Sequence, residues 1–327
     1  MKLRRMIFLF LPLLVVAVMA GLCFGSAPLS ASELAAVLAG RGAASHSIIL
    51  WQVRLPRVLA GVLAGIGLST AGALLQSVTA NALASPNIIG INSGAGLAVI
   101  LLLSVMPAAG NILPLAAFAG AFGASMVILL VSGKLGSSKS NIVLIGIAIT
   151  TLLNAAIAFL SLLDEGVLAQ YNHFTVGSLK GIRMEELILP AGIIGAAFLA
   201  AMAMSARLGV LAVGDAAASA LGIRVTRLRL AAMACAAACA AAVVSFAGLL
   251  GFVGLVVPHI AKRIVGHQPA KLLPASALVG AVIVVLADLL GRTLFAPSEL
   301  PVGILMSLVG APYFLILLCR RNAYAGI

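Results

Sequence analysis

Residues 207–229, RLGVLAVGDAAASALGIRVTRLR, interrupt two long apolar runs, Leu187 to Ala206 before them and Leu230 to Val257 after them. The interruption carries Arg207, Arg224, Arg227 and Arg229 and one acid, Asp215. Its pattern predicts two short helical pieces, over 215–221 and 224–229, broken at Gly222, since glycine is the usual residue just past a helix end. A charged helix pair this short has no core of its own. Between two runs that can each cross a bilayer, it reads as a rigid knuckle joining two membrane spans and placed to receive force from a partner. A plain basic loop on the cytosolic side of a membrane accounts for the arginines equally well.

The rest of the chain has the composition that this reading needs. Of 327 residues, 63% are hydrophobic and 9% charged, and the mean hydropathy is +1.24. A soluble domain of this size fills its core well before reaching that fraction. A spanning helix takes roughly 20 apolar residues, so the expected fold is an all-α polytopic membrane protein of about ten transmembrane helices, forming one domain over 1–327. The net charge of +12 does not indicate nucleic acid, because the basic residues form no patch interleaved with aromatics. They stand at the ends of apolar runs, beside headgroups and cytosolic loops. Cys23, Cys235, Cys239 and Cys319 lie in or at the ends of apolar runs and read as small packing residues.

The N-terminus, MKLRRMIFLFLPLLVVAVMAGLCFG, has the charge pattern of a secretory signal, but its apolar core is long for one and further spans follow. It reads as an uncleaved first span. The remaining spans are expected at about 56–78, 93–106, 112–132, 141–162, 187–206, 230–248, 251–265, 272–294 and 302–318. A short outer helix is expected within 30–47, and polar, Gly-rich backbone at 79–96 must be buried in protein or line a cavity. Gly61, Gly65, Gly67 and Gly72 would let another helix approach span 2 closely. With both termini cytosolic, 14 of the 20 Lys and Arg residues fall inside, in line with the charge bias. Arg41, Arg54, Arg57, Lys180, Arg183 and Arg292 fall outside and need another reason.

Several stretches resemble one family. RLPRVLAG at 54–61, AGALLQS at 71–77, NALASPNIIGINSGAG at 81–96, GFVGLVVPHIAKRIVG at 251–266 and LADLLGRTLFAPSELPVGILMSLVGAPYFLILL at 286–318 are similar to the FecCD-type permeases. These are the membrane subunits of importers for ferric siderophores, haem and cobalamin, and the resemblance runs through essentially the whole chain. It implies ten helices per subunit and a second permease subunit, identical or related, with the pathway between the two. It also implies two cytosolic ABC ATPase subunits and an external or periplasmic solute-binding protein, in a bacterial inner membrane.

The resemblance assigns roles to particular residues. Gly214, Asp215, Ala216, Ala217, Ala218, Ser219, Ala220, Leu221, Gly222 and Ile223 look like the coupling helices that sit in a cleft of the ATPase. Arg54, Arg57 and Arg292 match arginines that meet carboxylates of the binding protein, a task suited to a planar, two-pronged guanidinium. Arg292 is also four residues from Asp288 and could simply pair with it. Asp288, an intramembrane carboxylate, would alternatively serve as the proton carrier of a secondary transporter. Asn81 and Leu83 lie where the family places the cytosolic gate; members commonly have proline between them, and this chain has Ala82. Asn81 as an ordinary turn cap is the competing reading. Ser140 and Asn141, in the loop from Ser137, belong to the same expected constriction, and His259 after Pro258 reads as a structural histidine.

No phosphate loop occurs: Gly133-Lys134 is followed by Leu135, and Ile128 stands where a glycine is required. No nucleophile, base and acid set supports hydrolysis either. The chain is therefore expected to bind no cofactor or metal, leaving ATP and Mg to a partner subunit. Its expected cargo is an iron chelate, a ferric siderophore before haem or cobalamin.

Overall fold

The computed structural model describes residues 3–25, 30–135 and 138–324. Lys2 and Ser137 lie outside the described residues. In chain order the α-helices are α1 (Leu3–Cys23), α2 (Ala31–Leu38), α3 (Ala44–Ile48), α4 (Leu55–Thr79), α5 (Ile91–Val105), α6 (Leu113–Leu135), α7 (Lys139–Ser161), α8 (Glu165–Val176), α9 (Met184–Leu211), α10 (Asp215–Ala220), α11 (Val225–Ala247), α12 (Val253–Val265), α13 (Pro269–Thr293) and α14 (Val302–Tyr324). There is no strand among the described residues.

Ten of these helices correspond to the ten expected spans. Seven helical segments are long and apolar enough to cross a bilayer by themselves: α1, the continuous stretch Ala44–Thr79, α6, α7, α9, α11 and α13. α5 and the apolar part of α14 are shorter, and α12 has 13 residues, about 20 Å at the α-helical rise. Irregular backbone precedes α5 and α12, and backbone at such depth needs partners inside the protein. Before α5, a 3-10 turn over Pro86–Ile89 is buried at both ends, and Ser125 Oγ donates to the carbonyl of Ile89 at 2.8 Å. Before α12, the segment at 248–252 is tied to the end of α8, where Leu249 N–H donates to Phe174 O and Ser178 N–H to Ala247 O.

The centre of the bundle is α4, flanked by α11 and α13. Within α4's apolar window 78% of the residues are buried, against 17% for α1 and for α7, so those two lie at the periphery. The expected glycines explain how the centre closes. A Cβ on Gly65 would overlap the backbone of Gly280 in α13, and one on Gly72 the backbone of Gly254 in α12. Small residues at these crossings let the backbones touch.

The short outer helix is α2, begun by a capping box in which Ser30 accepts from Glu33 N–H and Glu33 accepts from Ser30 N–H. One expectation fails. The piece over 224–229 is not a separate helix but the start of α11, which runs unbroken to Ala247. Helix propagation costs less than a second nucleation, and no breaker stands between Val225 and Leu230.

Candidate functional sites at the two ends of the bundle

Helix directions put Lys134, Arg207, Arg224, Arg227, Lys262, Arg263 and Lys271 at one end of the bundle, here the basic end. α10 projects there. It begins after Gly214, whose φ of 134° suits glycine, and it ends in a Schellman arrangement. Ile223 N–H donates to Ala218 O and Gly222 N–H to Ser219 O, with Gly222 at φ 78°. Ala216, Ser219, Ala220 and Leu221 face outward, Ala217 is half-buried, and Ala218 is part of the core. The outward surface of α10 therefore excludes Ala218. It gains a large apolar neighbour that pattern reading missed, Val213, which is 78% exposed beside Leu221 at 71%.

Arg229 does not belong to a solvated basic loop. Its side chain is buried, and its Nη2 donates to both oxygens of Asp215 at 2.9 and 3.0 Å. Its Nε donates to Val78 O, close to the end of α4, at 3.3 Å. One guanidinium thus links α10, α11 and the last turn of α4. A signal for its burial existed: Arg229, Ala232 and Ala236 share one helical face, and all three are covered.

Just past that last turn of α4 lies the expected gate. Ala80 adopts the left-handed conformation at φ 48° and reverses the chain. Asn81 is exposed, and its Oδ1 accepts from Leu83 N–H at 2.9 Å, the cap that the turn reading required. At the start of α7, Ser138 caps the helix by accepting from Asn141 N–H, Asn141 Nδ2 donates to Leu135 O, and Ser140 is exposed. Two turns further on, α7 packs on the Pro86–Ile89 turn, where Gly146 meets the carbonyl of Ile88.

At the opposite end, Arg54, Arg57 and Arg292 come together and are almost wholly covered, at 3%, 6% and 3% exposure. Arg57 Nε and Nη2 clasp Asp288 at 2.9 to 3.0 Å, while its Nη1 reaches Glu299 at 2.8 Å. The Arg292–Asp288 pairing expected from their spacing is looser, at 3.7 Å. Arg292 Nη2 and Arg54 Nη1 turn instead to the last carbonyls of α1, on Gly21, Leu22 and Cys23. Those carbonyls have no partner within their own helix, and cations suit the negative end of its dipole. Among the described residues, Arg57 and Arg292 thus share Asp288, and Arg57 also holds Glu299. Glu299 was not singled out as a site residue, although it lies in the quoted stretch at 286–318.

Comparison with known proteins agrees with this architecture. The FecCD transport family matches residues 13–320. The chain is 39% identical over 275 residues to the Fe(3+)-citrate import system permease protein YfmE of Bacillus subtilis (strain 168), covering 84% of this chain and 83% of that one. It is 35% identical over 321 residues to the iron(3+)-hydroxamate import system permease protein FhuG of the same organism, covering 95% of each. A solved structure described as a metal-chelate type ABC transporter in an inward-facing conformation superposes with a TM-score of 0.88 at 28% identity, covering 97% of this chain and 99% of that one. Family, relatives and fold coincide over nearly the whole length, and this multi-pass membrane protein belongs to the FecCD transport family.

Proposed function

We propose that this chain is the transmembrane permease subunit of a binding-protein-dependent ABC importer that carries a ferric chelate, of the siderophore class, across a bacterial inner membrane. The observation that carries the proposal is α10. A short helix flanked by two exposed apolar residues, Val213 and Leu221, is fixed through Asp215 and Arg229 to α4, just before the turn at Asn81. A push on α10 would therefore reach the gate through one buried guanidinium. In this reading the basic end faces the cytosol together with both termini, α10 seats on an ATPase subunit, and Asn81, Leu83, Ser140 and Asn141 border the inner constriction. Two such ATPases hydrolyse ATP with Mg, and this chain holds no cofactor.

A second permease subunit completes the pathway, and the cavity of about 530 Å³ between α8 and α14, lined by Thr175, Val176, Ser307 and Leu308, is this chain's share of it. A solute-binding protein docks at the opposite end over Arg54, Arg57 and Arg292, where guanidinium groups suit carboxylates of a partner. The ferric-chelate class is carried over from the two relatives, permeases for Fe(3+)-citrate and iron(3+)-hydroxamate. A proton-carrier role for Asp288 draws less support, because its carboxylate bridges two buried guanidinium groups that would lose their counter-charge on protonation.

Leu221→Asp tests the coupling role. It is expected to abolish co-purification of the candidate ATPase while leaving the thermal midpoint of the isolated chain unchanged, since the side chain is exposed. Undiminished co-purification and uptake would overturn the assignment of α10.

A further inference from the structure

The basic end also contains a cavity of about 380 Å³ between α4, α9, α12 and the start of α13. His259, Lys262, Arg263 and His267 line it together with Gln76 and Ala82, and no carboxylate does. Lys262 is half-buried, and its Nζ gives one N–H to Gln76 Oε1 at 2.7 Å. Gln76 Nε2 in turn donates to Leu255 O at 3.2 Å, which keeps the amide oxygen aimed at the ammonium. An ammonium has three donors, so two remain. Arg263 is exposed and has no ion pair or side-chain hydrogen bond among the described residues.

The chain cannot neutralise this cavity with its own acidic side chains. Of its eight Asp and Glu residues, Glu33, Asp164, Glu165, Glu185, Glu186, Asp288 and Glu299 lie at the opposite end. The eighth, Asp215, is held by Arg229. Partly desolvated cations facing only a neutral amide leave an electrostatic vacancy that an anion fills favourably. A recessed basic pocket between helices at this depth suits a compact, multiply accepting anion better than a flat protein surface.

We propose that this cavity is a site for a phosphate-class anion, held by Lys262 and Arg263, with the phosphate of an anionic phospholipid headgroup or a free phosphate as its source. Because Ala80 and Ala82 form part of the wall, an anion bound there stiffens the turn that carries Asn81.

The test uses the full-length chain alone and assembled with its ATPase. In neutral-lipid nanodiscs, inorganic phosphate is titrated against chloride at fixed ionic strength, with the thermal midpoint as readout. In parallel, native mass spectrometry follows phospholipid retained from membranes containing phosphatidylglycerol. A saturable phosphate response identifies free phosphate as the source, and retained phosphatidylglycerol identifies the lipid. In either case Lys262→Gln with Arg263→Gln is expected to weaken binding by roughly tenfold or more per charge lost. Arg263→Gln alone guards against a folding defect, because its side chain supports nothing else, and it too must weaken binding. Lys134→Gln, an exposed basic residue at the same end outside the cavity, must not. Response to neither source, or an equal response in the variants, overturns the proposal. So does an anion signal that disappears on assembly with the ATPase, which would give the cavity to a partner carboxylate.

Discussion

Asp215 and Arg229 form a pair whose two sides are unequal, and their replacement should show it. The Arg229 side chain is 2% exposed and the Asp215 side chain 47%. Asp215→Ala leaves the guanidinium buried without its two short bonds. Removing one partner of a buried ion pair costs about 3–5 kcal/mol. Water can enter where Asp215 stood, and such access reduces the cost to about 2–3 kcal/mol. Arg229→Met keeps most of the buried stem, removes the cation, and leaves a carboxylate that is already half in water, for a cost of about 1 kcal/mol. The double variant should lie close to Arg229→Met, because once the cation is gone the carboxylate has little left to do. The assay is thermal unfolding of the purified chain in detergent, read by labelling of the fully buried Cys239 thiol in a background where Cys23, Cys235 and Cys319 are replaced by Ser. Asp215→Ala must lower the midpoint more than Arg229→Met does. Equal losses, or a larger loss for Arg229→Met, would refute the view that Arg229 is a buried cation fixed by Asp215.

At the opposite end the same reasoning applies to Asp288. Asp288→Asn leaves Arg57 and Arg292 short of a carboxylate at a site without water access and should cost about 3–5 kcal/mol; adding Arg57→Met should recover part of that loss in the same unfolding assay. Gly72→Leu should abolish stable expression of the chain, whereas Ala73→Gly beside it should be tolerated. The reason is that any side chain at Gly72 meets the Gly254 backbone, which cannot yield as a flexible side chain could; ordinary yields and midpoint for Gly72→Leu would show that α4 and α12 do not cross there.

Much of this fold is legible in the sequence because membrane helices declare themselves locally. Apolar length gives the spans, basic residues mark their ends, and glycines such as Gly65 and Gly72 announce close crossings. The weakly apolar α12 was legible only as a short run with an inner proline. The least legible features are the pairings. Arg57 meets Asp288 from 231 residues away, and the arginines that cap α1 come from α13 and from the turn before α4. A charge near a span end looks the same in sequence whether it snorkels to a headgroup or is buried against another helix, since only tertiary contacts separate the two. For that reason the sequence does not separate Arg229 from the other arginines of the 207–229 stretch. The spacing of Asp288 and Arg292 did suggest their proximity, but it gave the weaker of the two contacts that Asp288 makes. The stretch over 214–223 was legible as an element but not in its orientation, which depends on which alanine packs inward.

The central claim, an ATP-driven importer permease, is tested most directly by uptake into proteoliposomes containing this chain, its candidate ATPase and its candidate binding protein. Labelled ferric siderophore is followed with and without ATP, and with and without the binding protein. Uptake that requires both is the predicted result. Uptake that ignores ATP but follows an imposed proton gradient, and is lost in Asp288→Asn, would contradict the account and make Asp288 the centre of a different machine.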